Sequence, residues 1–211
     1  MIEAVFFDFD GVLTTDKYGS DTTNRYLGEA TGLGFAKVDQ TLERHNEALL
    51  LGRASHADIW PEVCRELWRE IDYRLLDAAF RSTPMNAGVL NLARQLHGRY
   101  RLGIITDNKR DRMDCLRALH GLDALFDPVV VSAAVGLAKT DGAIFDHALQ
   151  LAGLRPAQCL FIDNSRRNLA VAATLGMATI FHDDERNDAQ ALRGALERRL
   201  GISLASQSRR L

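Results

Sequence analysis

The run IEAVFFDFDGVLTTD, residues 2–16, constrains this chain more than any other stretch. Apolar residues run without interruption into Asp8, Phe9, Asp10 and Gly11. A short continuous run of aliphatic and aromatic residues fits a strand buried on both faces, as in a parallel sheet. In such sheets ligands gather in the crevice outside the carboxyl ends of the strands. The run therefore delivers two carboxylates to the edge where chemistry is done. Alternation puts Asp8 and Asp10 on the same side, with Phe9 turned away. Burying two like charges this close costs on the order of several kcal/mol unless something compensates. A divalent cation would do so, and hard oxygen ligands favour Mg2+. Gly11 lets the chain turn where a side chain would crowd the pair. A turn with capping aspartates is the plainer account of an isolated DxD, so the remaining strand ends must decide.

Four further runs have strand character: Arg101–Thr106, Pro128–Ser132, Cys159–Asp163 and Ala178–His182, joining Ile2–Phe7. Helical spacing lies between them. Val89, Ala93 and Leu96 precede the second strand, and Met113, Leu116 and Leu119 follow it. Ile144, Ala148 and Leu151 precede the fourth; Leu169, Ala172 and Leu175 follow it, and Leu192, Leu196 and Leu200 close the series. Strands alternating with helices predict an α/β fold, a doubly wound parallel five-stranded Rossmann-like sheet.

One segment breaks the alternation. From Thr15 to Thr83 only helical patterns occur: Val38, Leu42, His45 and Leu49; then Ile59, Val63 and Leu67; then Leu75, Leu76, Ala79 and Phe80. Residues 15–83 are expected to form a small inserted helical cap domain, with 1–14 and 84–211 as the α/β core. Trp60 and Trp68 both fall in the insertion and are expected in its interior.

Charge excludes some partners. A formal net charge of -2 and a pI near 6.3 give no electrostatic grip on nucleic acid or an anionic membrane. The tail SQSRRL reads as a solvated end. Cys64, Cys115 and Cys159 are odd in number and lack ligand spacing, so they read as small core hydrophobes of a reducing compartment. No apolar run approaches a membrane span, and no signal sequence opens the chain. The expectation is a cytoplasmic protein, monomer or homodimer.

The other strand ends decide the question left by the DxD. The second strand closes on ITDN, bringing the Thr106 hydroxyl beside Asp107 and Asn108. The loop after the third offers Lys139 in VGLAKTDGAIFDHAL, and the fourth closes on FIDN with Asp163. Carboxylates, a hydroxyl and an ammonium on one edge suit phosphoryl transfer. A carboxylate nucleophile splits the reaction into two easier steps through an aspartyl-phosphate. Cationic groups neutralise the phosphoryl oxygens, and a second acid protonates the leaving oxygen and then activates water.

DFDGVLT, ITDN, the lysine of GLAKTDGAIF and FIDNSRRNLAVAATLGM, in that order, resemble the four motifs of the haloacid dehalogenase-like hydrolase superfamily. The resemblance covers nearly the whole chain and makes the insertion its small helical cap. It implies that Asp8 is the nucleophile and a Mg2+ ligand. Asp10 would be the acid/base and bind Mg2+ through its carbonyl, with Asp163 the third ligand. Thr106 and the Asp107 N–H would bind phosphate, and Lys139 would hold the phosphoryl oxygens and orient Asp8. Members that dehalogenate attack carbon and lack the second acid, so Asp10 favours the phosphatase or phosphomutase branch. Three positions depart from the common pattern. Asp107 replaces an asparagine, Thr140 a proline, and Asn164 a second carboxylate.

Other polar residues have plainer accounts. Arg110, Arg112, Arg166 and Arg167 lie near the expected site mouth, where arginines on helix starts are usually solvated. Lys17 and Tyr18 stand where the chain leaves the core. His45 and His56 read as packing or capping residues, and Asp183 and Asp184 as a solvated turn. The expected function is Mg2+-dependent hydrolysis of a small phosphorylated metabolite. A phosphomutase of the β-phosphoglucomutase type, or a non-catalytic ligand-binding scaffold, are the alternatives.

Overall fold

A computed structural model describes residues 1–205; the SQSRRL tail, expected to be a solvated end, lies outside them. β1 (Ala4–Phe7) is wholly buried at the centre of the sheet. A π-type turn over Phe9–Leu13 follows, then five consecutive helices: α1 (Gly19–Thr31), α2 (Phe35–Glu43), α3 (Asn46–Leu50), α4 (His56–Leu67) and α5 (Arg74–Arg81). The alternation then runs α6 (Ala87–Leu96), β2 (Arg101–Thr106), α7 (Arg110–His120), β3 (Val129–Val131), α8 (Ser132–Val135) and α9 (Ala143–Ala152). It closes with β4 (Cys159–Asp163), α10 (Arg166–Thr174), β5 (Ala178–Phe181) and α11 (Ala189–Leu200). Strand order is β3-β2-β1-β4-β5. Every pairing is parallel, so all five carboxyl ends share one edge.

Alternation along β1 builds both faces. Val5 and Phe7 enter an apolar layer with Val89, Leu96, Met113, Leu116 and Leu196 from α6, α7 and α11. Ala4 and Phe6 enter the opposite layer with Ile144, Phe145, Ala148 and Ala172 from α9 and α10. Phe6 pairs in register with Gly103, where a Cβ would overlap the Phe6 ring. Glycine at that point of β2 is a packing requirement rather than a weakness of the strand.

The helices between β1 and α6 enclose an apolar core of their own, with Leu27, Val38, Leu42, Ile59, Trp60, Val63, Leu76 and Phe80. The chain enters and leaves this segment along paired crossings. Thr14 bridges Met85 in antiparallel fashion, the Thr15 N–H donates to the Pro84 carbonyl at 3.0 Å, and the Asn86 N–H to the Leu13 carbonyl at 2.8 Å.

Several expectations need correction. The Val38–Leu49 pattern is two helices, broken at Arg44 and His45. Trp68 is not interior: it is 91% exposed, because α4 ends at Leu67 and Trp68 caps it in the left-handed conformation at φ 53. Residues past that point leave the helical register that would have put Trp68 beside Cys64. Leu119 and Leu151, at helix ends, are exposed. Cys64 and Cys159 are buried, whereas Cys115 is half-buried with its Sγ 3.4 Å from Asp77 Oδ1. Among the described residues no helix is long and apolar enough to cross a membrane.

Candidate active site

β1, β2 and β4 are neighbours, so the residues that follow them meet. Asp8 leaves β1 almost fully buried, with both carboxylate oxygens held. Oδ1 accepts the Phe9 N–H at 2.7 Å, and Oδ2 lies 2.7 Å from Lys139 Nζ. Gly11, at φ 73, turns the chain beyond the pair, and a Cβ there would overlap the Asn164 side chain. Thr14 Oγ1 accepts the Gly11 N–H at 3.1 Å and fixes the turn.

Lys139 is the hub. Its Nζ also reaches Asp163 Oδ2 at 2.9 Å, and it is itself only 2% exposed. Its own N–H donates to Asp107 Oδ1 at 3.0 Å. Burial opposes the charge on Lys139, yet Asp8, Asp163 and Asp107 together hold its ammonium above the ordinary lysine range. One ammonium does not balance two buried carboxylates. Burial pushes the Asp8 carboxyl up to about 8, with Lys139 opposing and Asp163 reinforcing the rise. Asp163 is fully buried; its Oδ1 accepts the Ser165 N–H at 2.6 Å, and its Oδ2 the Asn168 amide at 3.1 Å.

Asp8 and Asp163 thus form a buried, under-neutralised carboxylate pair, an environment that a hard cation fits. Among the described residues no three His, Cys, Asp or Glu side chains converge as a metal cluster. The expected set needs only two such side chains, its third donor being the Asp10 carbonyl.

Asp10 lines the same cavity as Asp8, with partners of its own. Its carboxylate takes Arg112 in a two-pronged pair, Nη2 to Oδ1 and Nη1 to Oδ2, both at 2.9 Å. The Asn108 amide donates to Oδ2 at 2.9 Å. Arg112 is only 2% exposed, which corrects the solvated reading of this residue. Its place on α7 explains why: it lies one helical repeat before the buried Leu116, on the inward stripe. That spacing was the available signal, masked by the charge.

Thr106, Asp107, Asn108 and Lys109 after β2 line one cavity of about 470 Å³ with Asp8, Asp10, Lys139 and Asn164. The structure therefore brings Asp8, Thr106, Asp107, Lys139 and Asp163 together and gives Asp10 a separate set of partners. Asp107, the acid in place of the family's asparagine, turns its carboxylate onto the Lys139 N–H. Burial pushes its carboxyl up, with Lys139 opposing. Lys17 and Tyr18 line the same cavity, and Lys17 Nζ lies 3.7 Å from Asp184 Oδ2. The Asp184 side chain is only 7% exposed, so it is not a solvated turn residue. Arg166 instead stacks over Phe181, 4.0 Å from the ring centre. His56 is buried at the start of α4, its Nδ1 2.8 Å from Asp111 Oδ2 on α7.

Residues 2–176 match the family model described as haloacid dehalogenase-like hydrolase. Over 55 residues the chain is 46% identical to acyl-CoA dehydrogenase family member 10 of Mus musculus, covering 26% of this chain and 5% of that protein. Over 99 residues it is 31% identical to the pyrimidine 5'-nucleotidase YjjG of Escherichia coli strain K12, covering 46% of this chain and 44% of that one. The chain thus spans less than half the length of either curated relative. Among solved structures, a predicted HAD-like family hydrolase from Porphyromonas gingivalis superposes with a TM-score of 0.74 at 25% identity, over 93% of this chain and 98% of that one. A HAD family enzyme from Bacteroides thetaiotaomicron, solved with magnesium and inorganic phosphate, shares the fold with a TM-score of 0.72 at 18% identity, over 87% and 96%.

Proposed function

Because this chain belongs to the haloacid dehalogenase-like hydrolase family, we propose that it is a Mg2+-dependent phosphatase acting on small phosphomonoesters, with Asp8 as nucleophile. The observation that carries the reading is the Asp8–Lys139–Asp163 cluster, two buried carboxylates sharing one ammonium at the sheet edge. Asp8, Asp163 and the Asp10 carbonyl would hold Mg2+. Bound there, the ion would supply the positive charge that the two carboxylates lack.

The chain's own residues do the rest. An Asp8 oxygen attacks phosphorus as the ester P–O bond breaks, and Asp10 gives a proton to the departing oxygen. Thr106, the Asp107 N–H and Lys139 hold the remaining phosphoryl oxygens. Asp10, now a carboxylate, takes a proton from water as that water attacks phosphorus and the bond to Asp8 breaks. Phosphate leaves and both aspartates are restored. Residues 15–83, which hold α1–α5, serve as the cap, contributing Tyr18, Ser20, Asn46 and Leu50 to the cavity walls. A volume near 470 Å³ suits a sugar phosphate or nucleoside monophosphate, and the likeness to a nucleotidase makes nucleotides the first class to assay.

The test is phosphate release from a panel of phosphorylated metabolites. Activity should require Mg2+ and fall by at least about 10³-fold in Asp8→Asn, the scale of losing covalent catalysis. Undiminished activity in that variant, or in excess chelator, overturns the proposal. Movement of phosphate within a sugar phosphate, without release, would establish the mutase instead.

A further inference from the structure

We propose that Arg112 is the positioning residue for the acid/base, holding Asp10 in reach of the leaving oxygen and tying it to both crossings of the helical segment. The inference rests on the phosphatase reading of Asp10. The guanidinium does not depend on Asp10 alone for its own place. Nη1 also donates to Asn108 Oδ1 at 3.0 Å, Nη2 lies 3.4 Å from Thr83 Oγ1, and the group sits 5.7 Å over the Phe9 ring. One Asp10 oxygen can therefore turn to the substrate while the other stays on a fixed anchor.

Two observations separate this from an ordinary buried ion pair. Among the described residues Arg112 Nε is buried without a hydrogen-bond partner, while both Nη atoms are turned onto Asp10. Gly19, the first residue of α1, lies so close that a Cβ there would overlap the guanidinium. Its backbone is ordinary helix, so the side chain of Arg112 is what excludes a methyl group. Gly19 lies just beyond the first crossing and Thr83 on the return one. Arg112 thus touches the acid/base, the first turn of the segment and its exit, and displacement of the segment moves the guanidinium on which Asp10 rests.

The chemistry gives a readout that simple destabilisation would not move. Departure of an alkoxide needs the proton from Asp10, whereas 2,4-dinitrophenolate leaves without one. For each enzyme form, kcat/KM is measured with glycerol 2-phosphate and with 2,4-dinitrophenyl phosphate, beside the thermal midpoint. Arg112→Met should lower the ratio of the two at least about tenfold, most of the loss falling on the alkyl ester. Arg112→Lys, which cannot grip both oxygens as a fork, should recover part of it. Gly19→Ala keeps the arginine and should shift the ratio in the same direction, and should add nothing in the Arg112→Met background. Equal losses with both esters, or a Gly19→Ala effect that simply adds, would overturn the role of Arg112 and leave the phosphatase reading standing. Wild-type protein that releases phosphate from neither these esters nor the metabolite panel would remove both. If Arg112→Met fails to fold, Gly19→Ala alone decides.

Discussion

Lys109 and Arg112 leave the same short stretch of chain and meet opposite fates. Arg112 finds Asp10, while Lys109, half-buried on the cavity wall, has no carboxylate within salt-bridge distance among the described residues. Burial, seconded by the charge of Arg112, lowers its ammonium from 10.5 to about 8. The sign of the consequence follows from proton counting. Between about pH 8 and 10.5 the unfolded chain holds a proton on Lys109 that the folded chain has lost, so folding stability gains from a pH rise through that window. Denaturant midpoints read across it should lose this contribution in Lys109→Met, and an unchanged pH slope would show the burial to be unimportant. Residues of this kind mark the limit of sequence reading. Asp8 and Asp163 were legible as carboxylates closing apolar strands, whereas Asp10 and Lys139, in the turn after β1 and the loop after α8, stood out only as members of the ordered set. Arg112 was hidden because a charged residue at a helix start ordinarily faces water, and its partner lies 102 positions earlier in the chain.

At the scale of elements, α4 shows how a local signal sets a distant contact. Ser55 caps the helix by accepting the Asp58 N–H, and Asp58 returns the bond to the Ser55 N–H at 2.8 Å. The first helical residue, His56, is thereby placed against Asp111 on α7. Burial opposes a charge on Asp111, yet its contacts with His56 hold that carboxyl below the ordinary range. Ser55→Ala should cost about 1 kcal/mol in thermal or denaturant unfolding, and should speed hydrogen exchange at the start of α4 more than at its end. An unperturbed exchange profile would show that the pair with Asp111, not the cap, fixes this end. The strands were legible from composition to within about two residues, because burial on both faces leaves an unbroken apolar run. The break between α2 and α3 was not, since Val38, Leu42, His45 and Leu49 keep the spacing of one helix across it. Trp68 was misplaced for the complementary reason, spacing being no guide once the helix has stopped.

At the scale of the molecule, the described residues form three apolar cores, two against the faces of the sheet and one inside the α1–α5 segment. The segment joins the rest through the paired crossings, through His56 and Asp111, and through packing of α5 on α7. A core of its own and so few covalent links are the makings of a separate cooperative unit. The positions of the two indoles give that arrangement an optical consequence. Trp60 is buried, donates to the Ile71 carbonyl at 2.9 Å and stands edge-on to Tyr73, whereas Trp68 faces solvent. These are the only tryptophans of the chain, so indole emission reports on the α1–α5 segment and is silent about the sheet. Acrylamide should quench Trp68 and spare Trp60, leaving Trp68→Phe with a single blue-shifted, protected emitter. In denaturant the emission of that variant should change before the far-ultraviolet dichroism of the whole chain, and coincident curves would show one unit. Light from that one ring therefore follows the α1–α5 core alone, apart from anything that happens in the sheet.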